Sequence, residues 1–162
     1  FVECNVLPFA ANEITLFASV SIASTTGVDC IFEHGLPLGG NGYGLYPAST
    51  TTLSTFANTG STGTTQQGGI TAGAVSALTT SRRIMIEFDV PNDLCTMYID
   101  GTSAQTGSLS NLVGGITMTQ GSLRIGASSS AREIVGVIKH IVVIPDISGD
   151  IRTKLNDWSL TQ

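Results

Sequence analysis

Glu87-Phe88-Asp89 sets two carboxylates two residues apart, a spacing that turns both to one side of an extended strand. Two carboxylates flanking a sugar linkage are what glycoside hydrolysis requires, one to protonate the leaving oxygen and one to act as nucleophile or base. The other reactive side chains form no comparable set. His34 and His140 are the only histidines, and no Gly-x-Ser-x-Gly elbow supplies a serine nucleophile for either. His34 stands beside Gly35 and reads as a turn residue. His140 lies in a run, 137–144, that is largely apolar on both faces, as in a buried central strand. Cys4, Cys30 and Cys95 each sit inside an apolar alternation and show no metal-binding spacing. They read as small buried hydrophobes. An odd number leaves at least one unpaired, and any pairing among them stays open.

Those residues need a scaffold, and composition restricts it. Charged residues make up 12% of the 162-residue chain, about half the usual share. With 19 glycines and abundant Ser and Thr, the surface is hydroxyl and backbone, which suits many short strands and turns. The net charge is −5, and the densest basic spot is Arg82-Arg83. No basic face is available to neutralise phosphates, so a nucleic-acid partner is not expected. No apolar run reaches about 18 residues, so no spanning helix and no membrane insertion are expected. The chain starts at Phe1, without Met and within a strand-like pattern, as a processed chain or one domain of a longer protein would. Unpaired cysteines with no secretion signal fit folding in a reducing compartment.

The alternation predicts strands over 1–9, 14–23, 28–33, 43–46, 53–57, 83–90, 94–100, 116–119, 122–125 and 135–144. Pro91-Asn92-Asp93 joins 83–90 and 94–100 as a hairpin. The polar stretch 58–69 reads as a loop, and 102–107 as a polar tail without periodicity. Ile147, Ile151, Leu155 and Trp158 are spaced by 4, 4 and 3, one stripe of a helix that Ser148 would cap. Many antiparallel strands with one apolar face each must stack as a sandwich or close as a barrel. With no linker or internal repeat, residues 1–162 read as a single domain.

Three stretches choose between those architectures. IMIEFDVPNDLCTMYIDG (84–101), SLRIGASSSAREIVGVIKHIVVI (122–144) and ISGDIRTKLNDW (147–158) resemble the long hairpin, the Leu-x-Ile-Gly strand with its return strand, and the closing helix of the concanavalin A-like lectin and glucanase superfamily, closest to its laminin G-like branch. CIFEHG (30–35) and GYGLYPASTTTLSTF (42–56) match its strand-turn-meander more loosely. The resemblance implies an all-β, two-sheet antiparallel jelly-roll sandwich with one short C-terminal helix, carrying ligands on the concave face or rim loops. The superfamily's glucanases mount Glu-x-Asp-x-Glu on one strand. Here the third place falls on Pro91 or Asn92, and Asp93 lies past the turn. Without the acid, no proton donor remains, and the chain reads as not an enzyme.

What is left is binding. Asp100-Gly101 reads as a turn, with Asp100 offering a rim contact beside Tyr98. Sugar sites use aromatic faces next to polar groups, and the candidates are Tyr43, Tyr46, Phe56, Tyr98 and Trp158. Tyr43 and Tyr46 read as sharing one strand face, and Trp158 as the anchor of the helix. The candidate ligand residues are therefore Tyr98, Asp100, Asn41 and Tyr43. Calcium enters only through the resemblance, since many relatives bind it in rim loops; Asp29, Asn41, Asp93 and Asp100 are scattered oxygen donors without an Asp-x-Asp-x-Asp loop, and no cofactor is expected. These features together lead to a non-catalytic surface or adhesion module of a virion, of the phage decoration or tail-fibre type, displayed on the virion surface or extracellularly. Its partners would be sister subunits, other virion or surface proteins, or cell-surface glycan. The alternative is a secreted carbohydrate-binding module attached to an enzyme or adhesin, and the weaker alternative a glycoside hydrolase.

Overall fold

Alternate side chains of β3 (Glu13–Ser24), namely Ile14, Leu16, Ala18, Val20 and Ile22, are buried against one another's neighbours on two sheets. The computed structural model of the chain describes residues 2–6, 9–24, 30–35, 41–59, 67–72, 78–108, 116–118, 121–126 and 134–161. The remaining strands are β1 (Val2–Val6), β2 (Phe9–Ala11), β4 (Phe32–Gly35), β5 (Asn41–Ser49), β6 (Thr52–Thr59), β7 (Gln67–Ala72), β8 (Arg82–Asp89), β9 (Leu94–Ile99), β10 (Thr102–Ser108), β11 (Ile116–Met118), β12 (Gly121–Ile125) and β13 (Val135–Ile144). One helix, α1 (Gly149–Leu160), follows.

The six-stranded sheet runs β1-β12-β4-β5-β6-β7 and the five-stranded sheet β10-β9-β8-β3-β13, with β11 and β2 forming a small third pair. Every pairing is antiparallel. The core fills the gap between the two large sheets: Ile84, Ile86, Phe88, Cys95 and Met97 from one, Phe32, Tyr43, Leu45 and Leu53 from the other. This is a jelly-roll sandwich, as the resemblance predicts; the alternation by itself left a barrel open.

The opposite face of the five-stranded sheet is covered by α1. Leu155 packs on Phe17 and Met85, with Ile151, Val142, Ile144 and Tyr98 around them. The stripe of 4, 4 and 3 thus finds its partner. Trp158 meets Phe17 edge-on at 6.3 Å and His140 at 4.7 Å, while staying 39% exposed. Ser148 is the N-cap residue, but its side chain makes no cap bond. Its carbonyl accepts from the Ile151 and Arg152 amides, and the Asp146 carboxylate accepts from its own amide.

Five expectations need correction. His34 is no turn residue: it lies within β4 and is 1% exposed. Among the described residues β13 is an edge strand, not a central one; Val142 and Ile144 on its second face pack beneath α1, while Val135 and Val137 stay exposed. Tyr43 and Tyr46 are three apart and so lie on opposite faces, Tyr43 inward and Tyr46 outward. Residues 102–107 form β10, paired with β9 around a bulge between Ser103 and Gln105. Parts of 58–69 belong to β6 and β7, because backbone pairing tolerates polar side chains at a sheet edge; 60–66 lie outside the described residues. The 83–90 and 94–100 hairpin stands, with the Asp89 carboxylate accepting from the Asn92 amide at 3.1 Å.

Candidate functional site

A row of directly opposed residues crosses the six-stranded sheet: Glu3, Arg124, Glu33, Gly44, Phe56 and Gly69. Arg124 and Glu33 lie on the face turned away from the core, since Phe32, Tyr43, Leu45, Leu123 and Ile125 alternate with them on the inner side. Glu33 is the centre. The guanidinium of Arg124 donates to its Oε1 at 3.2 Å, and the Tyr46 hydroxyl donates to its Oε2 at 3.3 Å. Tyr46 reaches Glu33 by lying across Gly44: a Cβ on Gly44 would stand 2.5 Å from the Tyr46 Oη and 2.7 Å from its Cζ. The Glu33 side chain is 2% exposed and that of Arg124 21%, so the group is sealed at Glu33 and meets solvent at Arg124.

Burial, and then the neighbouring Cys30 and Glu33, push the Tyr46 hydroxyl far above the ordinary tyrosine range. Burial also pushes the Cys30 thiol up, with Glu33 adding and Arg124 opposing. Both stay protonated near neutral pH, so neither is a nucleophile. Through Arg124 the arrangement can donate hydrogen bonds to a polar ligand; Cys30 and Tyr46 are not activated for covalent chemistry.

The four candidate ligand residues are not brought together. Tyr43 is 1% exposed between the sheets, its hydroxyl 3.1 Å from His34 Nδ1 and its ring edge-on to His34 and Phe32. Asn41 opens β5 opposite Thr59. Tyr98 lies on the helix side of the other sheet, where its hydroxyl donates to Glu87 Oε2 at 3.1 Å and the Arg152 guanidinium stands 4.6 Å above its ring. Asp100 forms the β9–β10 corner, with φ of 51° followed by 85° at Gly101, as in a two-residue hairpin loop. Its carboxylate accepts from Arg82 Nη1 at 2.8 Å and from the Arg83 amide at 3.0 Å. Burial pushes its carboxyl up, but these bonds outweigh it and hold it below the usual aspartate range.

Glu87 and Asp89 are both engaged. Arg152 grips the two Glu87 oxygens, and Asn92 donates to both Asp89 oxygens. The oxygen donors considered for calcium do not fit a shared ion: Asp93 accepts from Ser108, Asp100 is tied to Arg82, and Asp29 lies outside the described residues. Among the described residues, no group of three or more His, Cys, Asp or Glu is placed to hold a metal ion.

Sequence reasoning missed Glu33 and Arg124 as a pair. The signal was a lone charge in the outward slot of two otherwise apolar strands, but the partners are 91 residues apart, and only the β12–β4 pairing joins them.

The sequence matches no protein family and no curated protein. Its fold does have solved counterparts. A CBM40 domain of Ruminococcus gnavus IT-sialidase, solved with alpha2,3 sialyllactose bound, is similar with a TM-score of 0.65 at 13% identity, over 95% of this chain and 97% of that one. A heptameric SAP-like pentraxin from Limulus polyphemus is similar with a TM-score of 0.66 at 13% identity, over 96% of this chain and 76% of that one. The binding domain of Paraclostridial Mosquitocidal Protein 1 is similar with a TM-score of 0.65 at 12% identity, over 93% of this chain and 38% of that one. At such identities the likeness shows the fold alone: a two-sheet antiparallel jelly-roll sandwich with one short C-terminal helix.

Proposed function

We propose that this chain is a non-catalytic carbohydrate-binding module, working outside the cell and attached to an enzyme or adhesin, that holds glycan on the six-stranded sheet around Arg124 and Glu33. The observation that carries this reading is two-way coverage: the chain and a sialidase CBM40 domain overlap along nearly their whole lengths. The engagement of Glu87 by Arg152 supports a binding role over hydrolysis. The hairpin 84–101 and the Leu123-x-Ile125-Gly126 strand support a laminin G-like placement within the superfamily. The virion role suggested by composition has no support in the comparisons.

The test is a glycan array with and without calcium, followed by titration of the best glycan against variants. Arg124→Ala should abolish binding, while Tyr98→Phe and Asp100→Asn should leave it intact. Loss in the latter pair with retention in Arg124→Ala would move the site to the five-stranded sheet. Silence on every glycan would overturn the proposal.

A further inference from the structure

We propose that two copies of this chain pair through the outer face of the five-stranded sheet, where it runs on past the end of α1. The contact is two-fold and sets Lys139 of each copy against Asp157 of the other. The inference stands apart from the carbohydrate-binding reading and concerns the opposite side of the sandwich.

The face is defined by where the helix stops. Phe17, Ser19 and Ser21 alternate along β3 with the buried Ala18, Val20 and Ile22, so they face away from the core. Leu155 of α1 packs on Phe17, and Trp158 reaches His140, the residue opposite Ser19. Next along β13 comes Val137, opposite Ser21, and then Val135, two residues away on the same side of the strand. Val135 and Val137 are each 55% exposed and Trp158 is 39% exposed. Five large apolar side chains are exposed among the described residues; these three and Leu160 belong to β13 and the end of α1, and only Leu94 lies elsewhere. Single exposed apolar residues are ordinary, whereas a group of them in one place marks an interaction surface.

Charge selects the partner. Lys139 is the one cation among the described residues that forms no ion pair there. Asp157, exposed on α1 beside Trp158, forms none either. The free cation thus stands on the strand side of the apolar group and the free anion on the helix side. A two-fold rotation lays the strand side of one copy on the helix side of the other, so both charge pairs form at once. In the same step Trp158, fixed by its edge contacts to Phe17 and His140, covers the valines of the facing copy. An apolar centre with a charged rim is the usual anatomy of such a contact. Side chains of the sheet face make it, so no backbone ladder has to be extended.

The experiment is sedimentation equilibrium on the chain from roughly 1 μM to 1 mM. The mass is expected to climb from 16.8 kDa toward twice that value, with Trp158 emission shifting to the blue over the same range. Lys139→Asp and Asp157→Lys each bring like charges together, and each should weaken pairing at least about tenfold. Mixed in equal amounts, the two variants should pair again, because both contacts then join opposite charges. Val137→Asp should weaken pairing by burying a charge at the centre. A mass of 16.8 kDa throughout would overturn the inference. So would pairing unchanged in the charge variants, or no recovery when they are mixed. All three positions are exposed; should a charge variant fail to fold, the wild-type mass and Val137→Asp decide. None of these outcomes bears on glycan binding at the other sheet.

Discussion

Arg152 Nε and Nη2 hold the two Glu87 oxygens at 2.9 and 2.7 Å, tying α1 to the β8 strand. The hydrogen bond to Glu87 raises Arg152 above its ordinary value against the opposing effect of burial. Glu87→Gln keeps the shape and removes the charge. It should destabilise the domain by about 1–3 kcal/mol, the range for losing a charged hydrogen bond at a largely buried carboxylate. Trp158, the only tryptophan, sits on α1, so fluorescence-monitored denaturation reads the helix directly. Glycan binding should not change, because the site we propose is on the other sheet.

Gly44→Ala tests how Tyr46 reaches Glu33. The new methyl would occupy the place of the Tyr46 ring, and the ring must lift away from the carboxylate. A cost of about 1–3 kcal/mol is expected for such overpacking. Adding Tyr46→Phe to that background should cost less than it does alone, because the bond it removes is already broken. Simple additivity in a double-mutant cycle would refute the coupling.

High pH should unfold the domain through its tyrosines. Burial raises Tyr43 and Tyr46 well above the ordinary value of 10.0. A raised folded-state value means stability that is fully present below 10.0 and lost as pH climbs above it, since only the unfolded chain ionises there. Of the three tyrosines, Tyr98 is also raised, by burial first and then by Glu87, but it is half-buried. Tyrosinate absorbance should therefore rise in two stages, with the larger stage coinciding with loss of circular dichroism. A single smooth titration in a folded protein would contradict this.

The corner at Asp100 and Gly101 gives the opposite pH sign. Asp100 is lowered in the folded state, so its contribution is present above the ordinary 3.8 and lost as pH falls through the folded value. Asp100→Asn tolerates the left-handed backbone and should cost under about 1 kcal/mol for a half-exposed pair, while flattening the acid limb of the stability profile. Gly101→Ala should cost about 1–2 kcal/mol, because φ is 85° and the new methyl would meet Asn156 Oδ1 at 3.1 Å.

The sandwich was legible because period-2 alternation is local: Ile14 to Ile22 and Ile84 to Phe88 name their own buried face. The corner was legible for the same reason, since Asp-Gly carries its own backbone preference. β7 and β10 were not, because their side chains are polar and only pairing with β6 and β9 makes them strands. The edge position of β13 was hidden as well. Two apolar faces look alike whether a helix or a sheet covers the second. The site was the least legible part. Arg124, Glu33 and Tyr46 come from three strands, and each alone is an ordinary outward residue; their meaning appears only when β12, β4 and β5 lie side by side.

The outer rim of β13 carries a further consequence. Its ladder with β3 slips twice, between Val135 and Gly136 and between Ile138 and His140, and Lys139 occupies the second slip. Bulges and a lysine on an open strand discourage a foreign strand from adding to the sheet. At this edge, a second copy of the chain would find no straight, unbroken ladder to extend.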